Sequence, residues 1–276
     1  MRLLKFQVIR VVRAVGLLGL ADTGKFWLWR LLVLGRNSRF IRKHPGFGTP
    51  PPELAFDAYN HVDWTIYRET GLAHARFFAR VICEALPGCE RLEVLEWGCG
   101  PGRIVRHMPF ALTGRVRSVT GTDSNAESIA WCTANLPEIR FVRNTQAARL
   151  PFTDASFDVV YAYSVFTHLS ESAQIEWARE LRRVLRVGGL LICTTQGQSY
   201  EYLLANQSER RRFASGAVVV QGNYEEGKKW FFAIDPAGFV RTHLLAGFAD
   251  VRRIATTPED DVPQDVWMAT KSGEAG

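Results

Sequence analysis

The stretch EVLEWGCGPGRIVRH, residues 93–107, sets an acid, Glu96, two residues before the first of three glycines, Gly98, Gly100 and Gly102. Glycines at the end of a strand permit positive φ and let a ligand come close to the backbone. The spacing is G-x-G-x-G, whereas the dinucleotide fingerprint G-x-G-x-x-G would need its third glycine at Arg103. No Gly-Lys-Ser/Thr follows, so the loop is not a phosphate-binding P-loop either. Pro101 removes one backbone donor, and the Glu96 carboxylate would repel a pyrophosphate but pair with a cation. The ligand suggested is a nucleoside that carries positive charge rather than phosphates. A second acid, Asp123, closes the run VRSVTGTD, where its carboxylate can accept both hydroxyl hydrogens of a ribose. The competing reading of Asp123 is the N-cap of the next helix, a role that Ser124 or Asn125 fills equally well.

These residues need elements to hold them. Short β-branched runs alternate with helical ones: LEVLEW, VRSVTGTD, IRFVRN, FDVVYAYS and GLLICTT read as strands, with AESIAWCTAN and SAQIEWARELRRVL as helices between them. Strands alternating with helices imply a Rossmann-like, doubly wound α/β sheet, mostly parallel, covered on both faces. In such sheets ligands bind beyond the carboxyl ends of the strands, which is where Glu96 and Asp123 fall. After Thr195 the rhythm breaks. The stretch GAVVVQGNYEEGKKWFFAI reads as a hairpin turning near 225–227, a helix follows around 239–245, and DVRRIATT and DVWMAT close the sheet as an antiparallel hairpin. The expected organisation is an N-terminal helical cap over residues 1–90 and a catalytic domain over 91–276, with an insertion at 196–235 placed to act as a substrate lid.

The 276 residues and the 47% hydrophobic fraction suit one large α/β domain with an elaboration. Five scattered cysteines without C-x-x-C spacing argue against a disulfide framework or a zinc site and suit a reducing cytoplasm. No uncharged apolar run approaches a membrane span, and 14–21 is short for a signal-peptide core. Of the net charge of +6, residues 1–44 carry +9, from ten Lys/Arg against Asp22, so the other 232 residues sum to −3. That basic segment reads as two amphipathic helices broken near 21–24, with apolar positions Leu4, Val8, Val11, Val12 and Val15 at helical spacing. A helical cap that packs on the main domain is favoured; the alternative is peripheral contact with an anionic inner-membrane surface. A helix over 63–85 follows the proline-rich HPGFGTPPPE.

The acid–x–Gly–x–Gly–x–Gly loop, Asp123, LPFTDASFDVVYAYSVFTHL and ELRRVLRVGGLLICTT, in that order, resemble class I S-adenosylmethionine-dependent methyltransferases over about 92–196. QDVWMATK resembles their last strand, and FTHLSE and TTQG are similar to bacterial members of the type 11/12 group. The resemblance implies S-adenosylmethionine as cofactor and S-adenosylhomocysteine as product. It puts Glu96, Gly98, Cys99, Gly100 and Gly102 around the methionine end and Asp123 on the ribose. Ser124, Asn125 and Tyr163 would line the rest of the cofactor. Many members carry an acid after the third strand that meets the adenine amine; here RNTQAARLPF has none, and Thr145 and Gln146 occupy that neighbourhood.

Methyl transfer from a sulfonium is an in-line displacement, so positioning dominates and a general base helps only if the acceptor is a hydroxyl. His168, just past the fourth strand, is the leading base, with a cofactor-shaping role as its alternative. His61 and Asp63 in YNHVDW are further candidates from the cap, and His243 a weaker one. No metal is demanded and no His/Asp cluster has ligand spacing. Tyr59, Tyr67, Tyr224, Trp230 and Phe232 are candidates to stack on an acceptor, although aromatics at such spacing more often form core. A small-molecule O-methyltransferase acting on a sugar, glycoconjugate or lipid-linked hydroxyl is the favoured function. A nucleic-acid methyltransferase is disfavoured, because YAYSVF replaces the Asp/Asn-Pro-Pro-Tyr/Phe expected for exocyclic base amines and the only other dense basic run is 210–212. A non-catalytic cofactor-binding module is the third reading.

Overall fold

A computed structural model describes residues 18–204, 206–221 and 225–273. The chain divides into two compact units, Met1–Glu69 and Thr70–Gly276. In the first, helix α1 (Leu18–Lys43) runs unbroken through 21–24, so the break expected there is absent. Gly24 has nothing near it that a side chain would strike, and the Thr23 hydroxyl bonds back to the Gly19 carbonyl at 2.9 Å, a helix-compatible bond. The apolar positions expected at Leu4, Val8, Val11, Val12 and Val15 lie outside the described residues, as does Tyr224.

Helix α2 (Pro52–Tyr59) starts on its own proline, the first-turn position where a missing N–H costs least. It packs Phe56 with Val33 and Val62, while Ala55 joins Phe40, Trp64 and Tyr67. Helix α3 (Trp64–Ala85) begins where sequence spacing expects it. Asn37 clasps the turn before it, donating to the Val62 carbonyl at 2.7 Å and accepting from Trp64 N–H at 3.0 Å.

The second unit holds a seven-stranded sheet of order β3-β2-β1-β4-β5-β9-β8. Its strands are β1 (Leu92–Trp97), β2 (Val116–Asp123), β3 (Arg140–Arg143), β4 (Phe157–Ala162), β5 (Leu185–Thr195), β8 (Ala249–Ile254) and β9 (Asp265–Thr270). The first five run parallel, and β9 pairs antiparallel with both β5 and β8, giving the expected C-terminal hairpin. Strands β6 (Val219–Gln221) and β7 (Phe232–Ile234) form a separate antiparallel pair within the insertion.

Alternation along each strand divides the apolar residues between two cores. Leu95, Trp97, Val160, Leu191 and Trp267 face Trp177, Leu181 and Val184 of helix α5 (Glu171–Val184). Val94, Val119, Val159, Ile192 and Met268 face Phe77, Phe78 and Ile82 of α3, joined by Ile129 of helix α4 (Ala126–Asn135). Burial on both faces is what a parallel sheet requires. The strand order reverses between β1 and β4, so a crevice opens beyond their carboxyl ends. Among the described residues no helix is long and apolar enough to cross a membrane.

Candidate active site

Strand β1 delivers Glu96 and Trp97, and the chain then turns at Gly98 with φ of +77°. Gly98 N–H and Cys99 N–H both donate to the Thr122 carbonyl, at 2.8 and 3.0 Å, tying the loop to the tip of β2. A Cβ on Gly98 would lie 2.3 Å from Val165 Cγ2, so the chain leaving β4 occupies the space a side chain would need. Gly100 and Gly102 also have positive φ, +51° and +77°.

Asp123 ties the loop to the helix that follows β2. One carboxylate oxygen accepts from Gly100 N–H and the other from Asn125 N–H, both at 2.8 Å. The N-cap of α4 is Asn125, whose side chain accepts from Ser128 N–H at 2.9 Å. The capping role that competed for Asp123 therefore belongs to its neighbour, while Ser124 gives its carbonyl to Arg143 at 3.2 Å.

Glu96 is buried and accepts a hydrogen bond from Tyr161 Oη at 2.8 Å. Burial pushes its carboxyl up to about 8, against the smaller opposing pulls of the Tyr161 hydroxyl and the Arg103 guanidinium; Asp123 adds to the rise. Beneath the loop, burial also raises the thiols of Cys99 and Cys132, the latter to about 12, so both stay protonated.

Arg103, directly after the third glycine, is buried and fastens the loop to helix α3. It donates to Thr70 Oγ1 at 2.9 Å and to His74 Nδ1 at 3.2 Å, and its guanidinium lies over the Tyr163 ring at 5.4 Å. His74 sits against the same ring, centroids 4.4 Å apart, and donates from Nε2 to the Asp261 carbonyl at 2.8 Å. Burial, reinforced by the Arg103 charge, lowers His74 to about 3, so the ring is neutral and its Nδ1 accepts. Gly71 permits this docking, since a Cβ there would lie 2.2 Å from the Arg103 carbonyl oxygen. Sequence reasoning placed Tyr163 near the cofactor but missed His74 and Arg103. The available signals were a glycine inside a helix and an arginine where another fingerprint places glycine.

Beyond β4 the chain passes through Ser164, at φ of +60°, which is held by its own network. Ser164 N–H donates to Thr194 Oγ1 at 2.7 Å, and Gln264 Nε2 donates to Ser164 Oγ at 2.9 Å. A short 3₁₀ turn, Phe166–His168, then presents His168. Its Nδ1 bonds the Phe231 carbonyl at 2.8 Å, which assigns the proton to Nδ1 and leaves Nε2 as the acceptor. Burial lowers its pKa, so the neutral ring prevails near pH 7. The insertion also reaches this turn through Gly227 N–H, which donates to the His168 carbonyl at 2.8 Å, and through Glu226, which accepts from Ser170 N–H.

At the end of β3 the residue turned inward is Asn144, which accepts from Thr122 Oγ1 at 2.9 Å. Thr145 and Gln146 are exposed, and a Cβ on Gly227 would come within 3.7 Å of Gln146 Nε2. One segment of the insertion thus neighbours both Gln146 and His168. His61 and Asp63 lie in the first unit. The buried Asp63 carboxylate caps α3, accepting from Thr65 N–H at 3.0 Å and Ile66 N–H at 3.3 Å, and pairs with Arg36. His61 Nδ1 accepts from Asp63 N–H at 3.2 Å. The exposed His243 bonds Thr242 and stacks on Phe239. Among the described residues no group of three or more His, Cys, Asp or Glu is arranged to hold a metal ion.

A doubly wound sheet with this antiparallel end, an acid-preceded glycine loop and a carboxylate at the tip of β2 form an arrangement similar to that of class I S-adenosylmethionine-dependent methyltransferases. Comparison with known proteins agrees: residues 95–193 match the model of the Methyltransferase domain family. A protein of Mycolicibacterium smegmatis named "probable S-adenosylmethionine-dependent methyltransferase" is 34% identical over 129 residues, 45% of this chain and 48% of that one. Phthiotriol/phenolphthiotriol dimycocerosates methyltransferase 1 of Mycobacterium ulcerans is 39% identical over 113 residues, 39% of each chain. The matches span less than half the length of these curated relatives. Among solved structures, DesVI of Streptomyces venezuelae shares the fold with a TM-score of 0.55 at 12% identity, covering 78% of this chain and 98% of that one. Residues 95–193 thus resemble a methyltransferase domain, and the relative from Mycolicibacterium smegmatis is named for S-adenosylmethionine dependence.

Proposed function

We propose that the chain transfers a methyl group from S-adenosylmethionine to a small-molecule hydroxyl, with sugar or glycoconjugate acceptors favoured, in the cytoplasm. The observation that carries this reading is the junction of Asp123 with Gly100 N–H beside the buried Glu96, two carboxyl groups where β1 and β2 end. The donor set fits the cofactor: acids for an ammonium and a ribose diol, and no cradle for phosphates. A carboxylate offers about four acceptor sites, so Asp123 can hold the loop and a diol together. In this reading Glu96, Gly98, Cys99, Gly100 and Gly102 surround the methionine end. Ser124, Asn125, Thr145, Gln146 and Tyr163 border the nucleoside.

The cofactor, when bound, supplies an electrophilic methyl group on a sulfonium. The acceptor oxygen forms the new C–O bond as the S–C bond breaks, which leaves S-adenosylhomocysteine and one proton to be removed. His168 takes that proton at Nε2, because its Nδ1 proton is already engaged with the Phe231 carbonyl and its ring is neutral near pH 7. Asp63 and His61 rank behind it, since both are engaged in the cap of α3. The relative named for phthiotriol and phenolphthiotriol dimycocerosates supports a small-molecule acceptor over a nucleic acid.

The test is incubation of the full chain with methyl-labelled S-adenosylmethionine and panels of sugar, glycoconjugate, lipid and phenolic acceptors, with RNA in parallel. Label on a hydroxyl, lost in His168→Ala while cofactor affinity holds, is the expected result. Label in RNA alone would move the function to nucleic acid, and cofactor binding without transfer to any acceptor would favour a non-catalytic module.

A further inference from the structure

Helix α1 carries two apolar faces, and only one of them is packed. Phe26, Trp29, Val33 and Phe40 recur at helical spacing and meet the interior of the first unit. On the opposite side, Leu20, Trp27, Leu31 and Leu34 are 73%, 54%, 72% and 65% exposed, and Leu28, Leu32 and Ile41 widen the same bare surface. Single exposed leucines are ordinary, but seven large apolar side chains along one helix are a patch that marks an interaction site.

Charge identifies the occupant. Helical spacing sets Arg39, Arg42 and Lys43 on or beside the bare face and Arg30, which pairs with Glu53 at 3.4 Å, at its edge; Lys25 turns to Asn60 and Phe56, and the helix's sole acid, Asp22, falls on the packed side. Arg30 lies over the Trp27 ring at 5.0 Å, which keeps a cation beside the apolar stripe. Residues 1–17 bring Arg2, Lys5, Arg10 and Arg13 and no acid, and a second copy would bring the same cationic border. Either would set like charges together. An anionic bilayer answers both features, with acyl chains for the leucines, headgroups for the cations and an interfacial depth suited to Trp27.

We propose that the bare face of α1 docks on the surface of an anionic lipid bilayer, lying in the interface rather than crossing it. The docking is independent of methyl transfer, so its test needs neither cofactor nor acceptor. Full-length protein is sedimented with phosphatidylcholine vesicles, with and without about one-third phosphatidylglycerol. The expected result is binding that requires the anionic lipid, weakens with added salt, and falls at least tenfold in L31E/L34E with an unchanged melting temperature. Both positions are solvent-exposed, so the fold should tolerate them; R39Q/R42Q, which keeps the apolar face, should lose the preference for anionic lipid. Wild-type protein that ignores anionic vesicles, or double-glutamate protein that binds as well as wild type, would overturn the proposal. A concentration-dependent dimer abolished by L31E/L34E, without vesicle binding, would also overturn it and assign the face to a second copy.

Discussion

Glu96→Gln tests the most unusual electrostatic feature of the site. In the folded protein burial holds the Glu96 carboxyl near 8, so at pH 7 about nine-tenths of the molecules carry it protonated. A ligand ammonium placed against this group favours the carboxylate, and binding must then expel the proton. Affinity is therefore linked to pH: it should rise by roughly tenfold, about 1.4 kcal/mol, per pH unit below 8 and level off above it. Between pH 6 and pH 8 the ionised fraction grows about fiftyfold, which sets the expected gain in affinity. Calorimetric titration with S-adenosylhomocysteine, repeated in buffers of different ionisation enthalpy, reads both the affinity and the proton released. Glu96→Gln cannot release that proton, so its affinity should be flat over the same range and its binding heat independent of buffer. Wild-type affinity that does not change between pH 6 and 8, with no buffer-dependent heat, would refute the reasoning and remove Glu96 from the ammonium.

Two further variants probe the frame around the site. Gly98→Ala should destabilise the domain by about 2–4 kcal/mol in urea, because its Cβ meets the stiff Val165 side chain and its φ is positive. Adding Val165→Ala should recover part of that loss, and an unchanged midpoint would mean the contact is misjudged. Asp235 lies fully buried with Gln174 Nε2 on one oxygen at 3.0 Å, and burial pushes it from 3.8 up to about 7. A carboxyl raised in the folded state holds its proton more tightly there, so wild type loses stability as pH rises from about 4 to 7. The advantage of Asp235→Asn over wild type should therefore grow by roughly 4 kcal/mol between pH 4 and 8, and a pH-independent difference would contradict it.

The strands of the sheet were readable because both-face burial leaves continuous β-branched runs, and Glu96 and Asp123 were readable because they end two of them. Distant pairings were not. The bond of Arg103 to His74 joins positions 29 apart and depends on Gly71, whose meaning appears only when the loop packs on α3. Asp63 was a candidate, with His61, to reach the site from the N-terminal cap, yet its carboxylate serves the helix that starts beside it. After β3 the acid that the family resemblance implies directed attention to Thr145 and Gln146, whereas the strand's pleat turns Asn144 inward. The break expected at 21–24 rested on Gly24, and a single glycine costs a long helix only about 1 kcal/mol. Apolar residues on both sides of that helix, aromatics and valine on the packed side and leucines on the other, obscure the usual one-face signal, so the bare stripe of α1 emerged from exposure rather than periodicity.

The central claim is that the glycine loop and Asp123 bind S-adenosylmethionine. Calorimetric titration of the full chain and of Asp123→Ala with S-adenosylmethionine addresses it most directly. The expected result is micromolar binding to the wild type and a loss of about 1–3 kcal/mol in the variant, from charged hydrogen bonds to the ribose. No binding by a folded wild-type chain would contradict the account, and equal affinities would remove Asp123 from the cofactor.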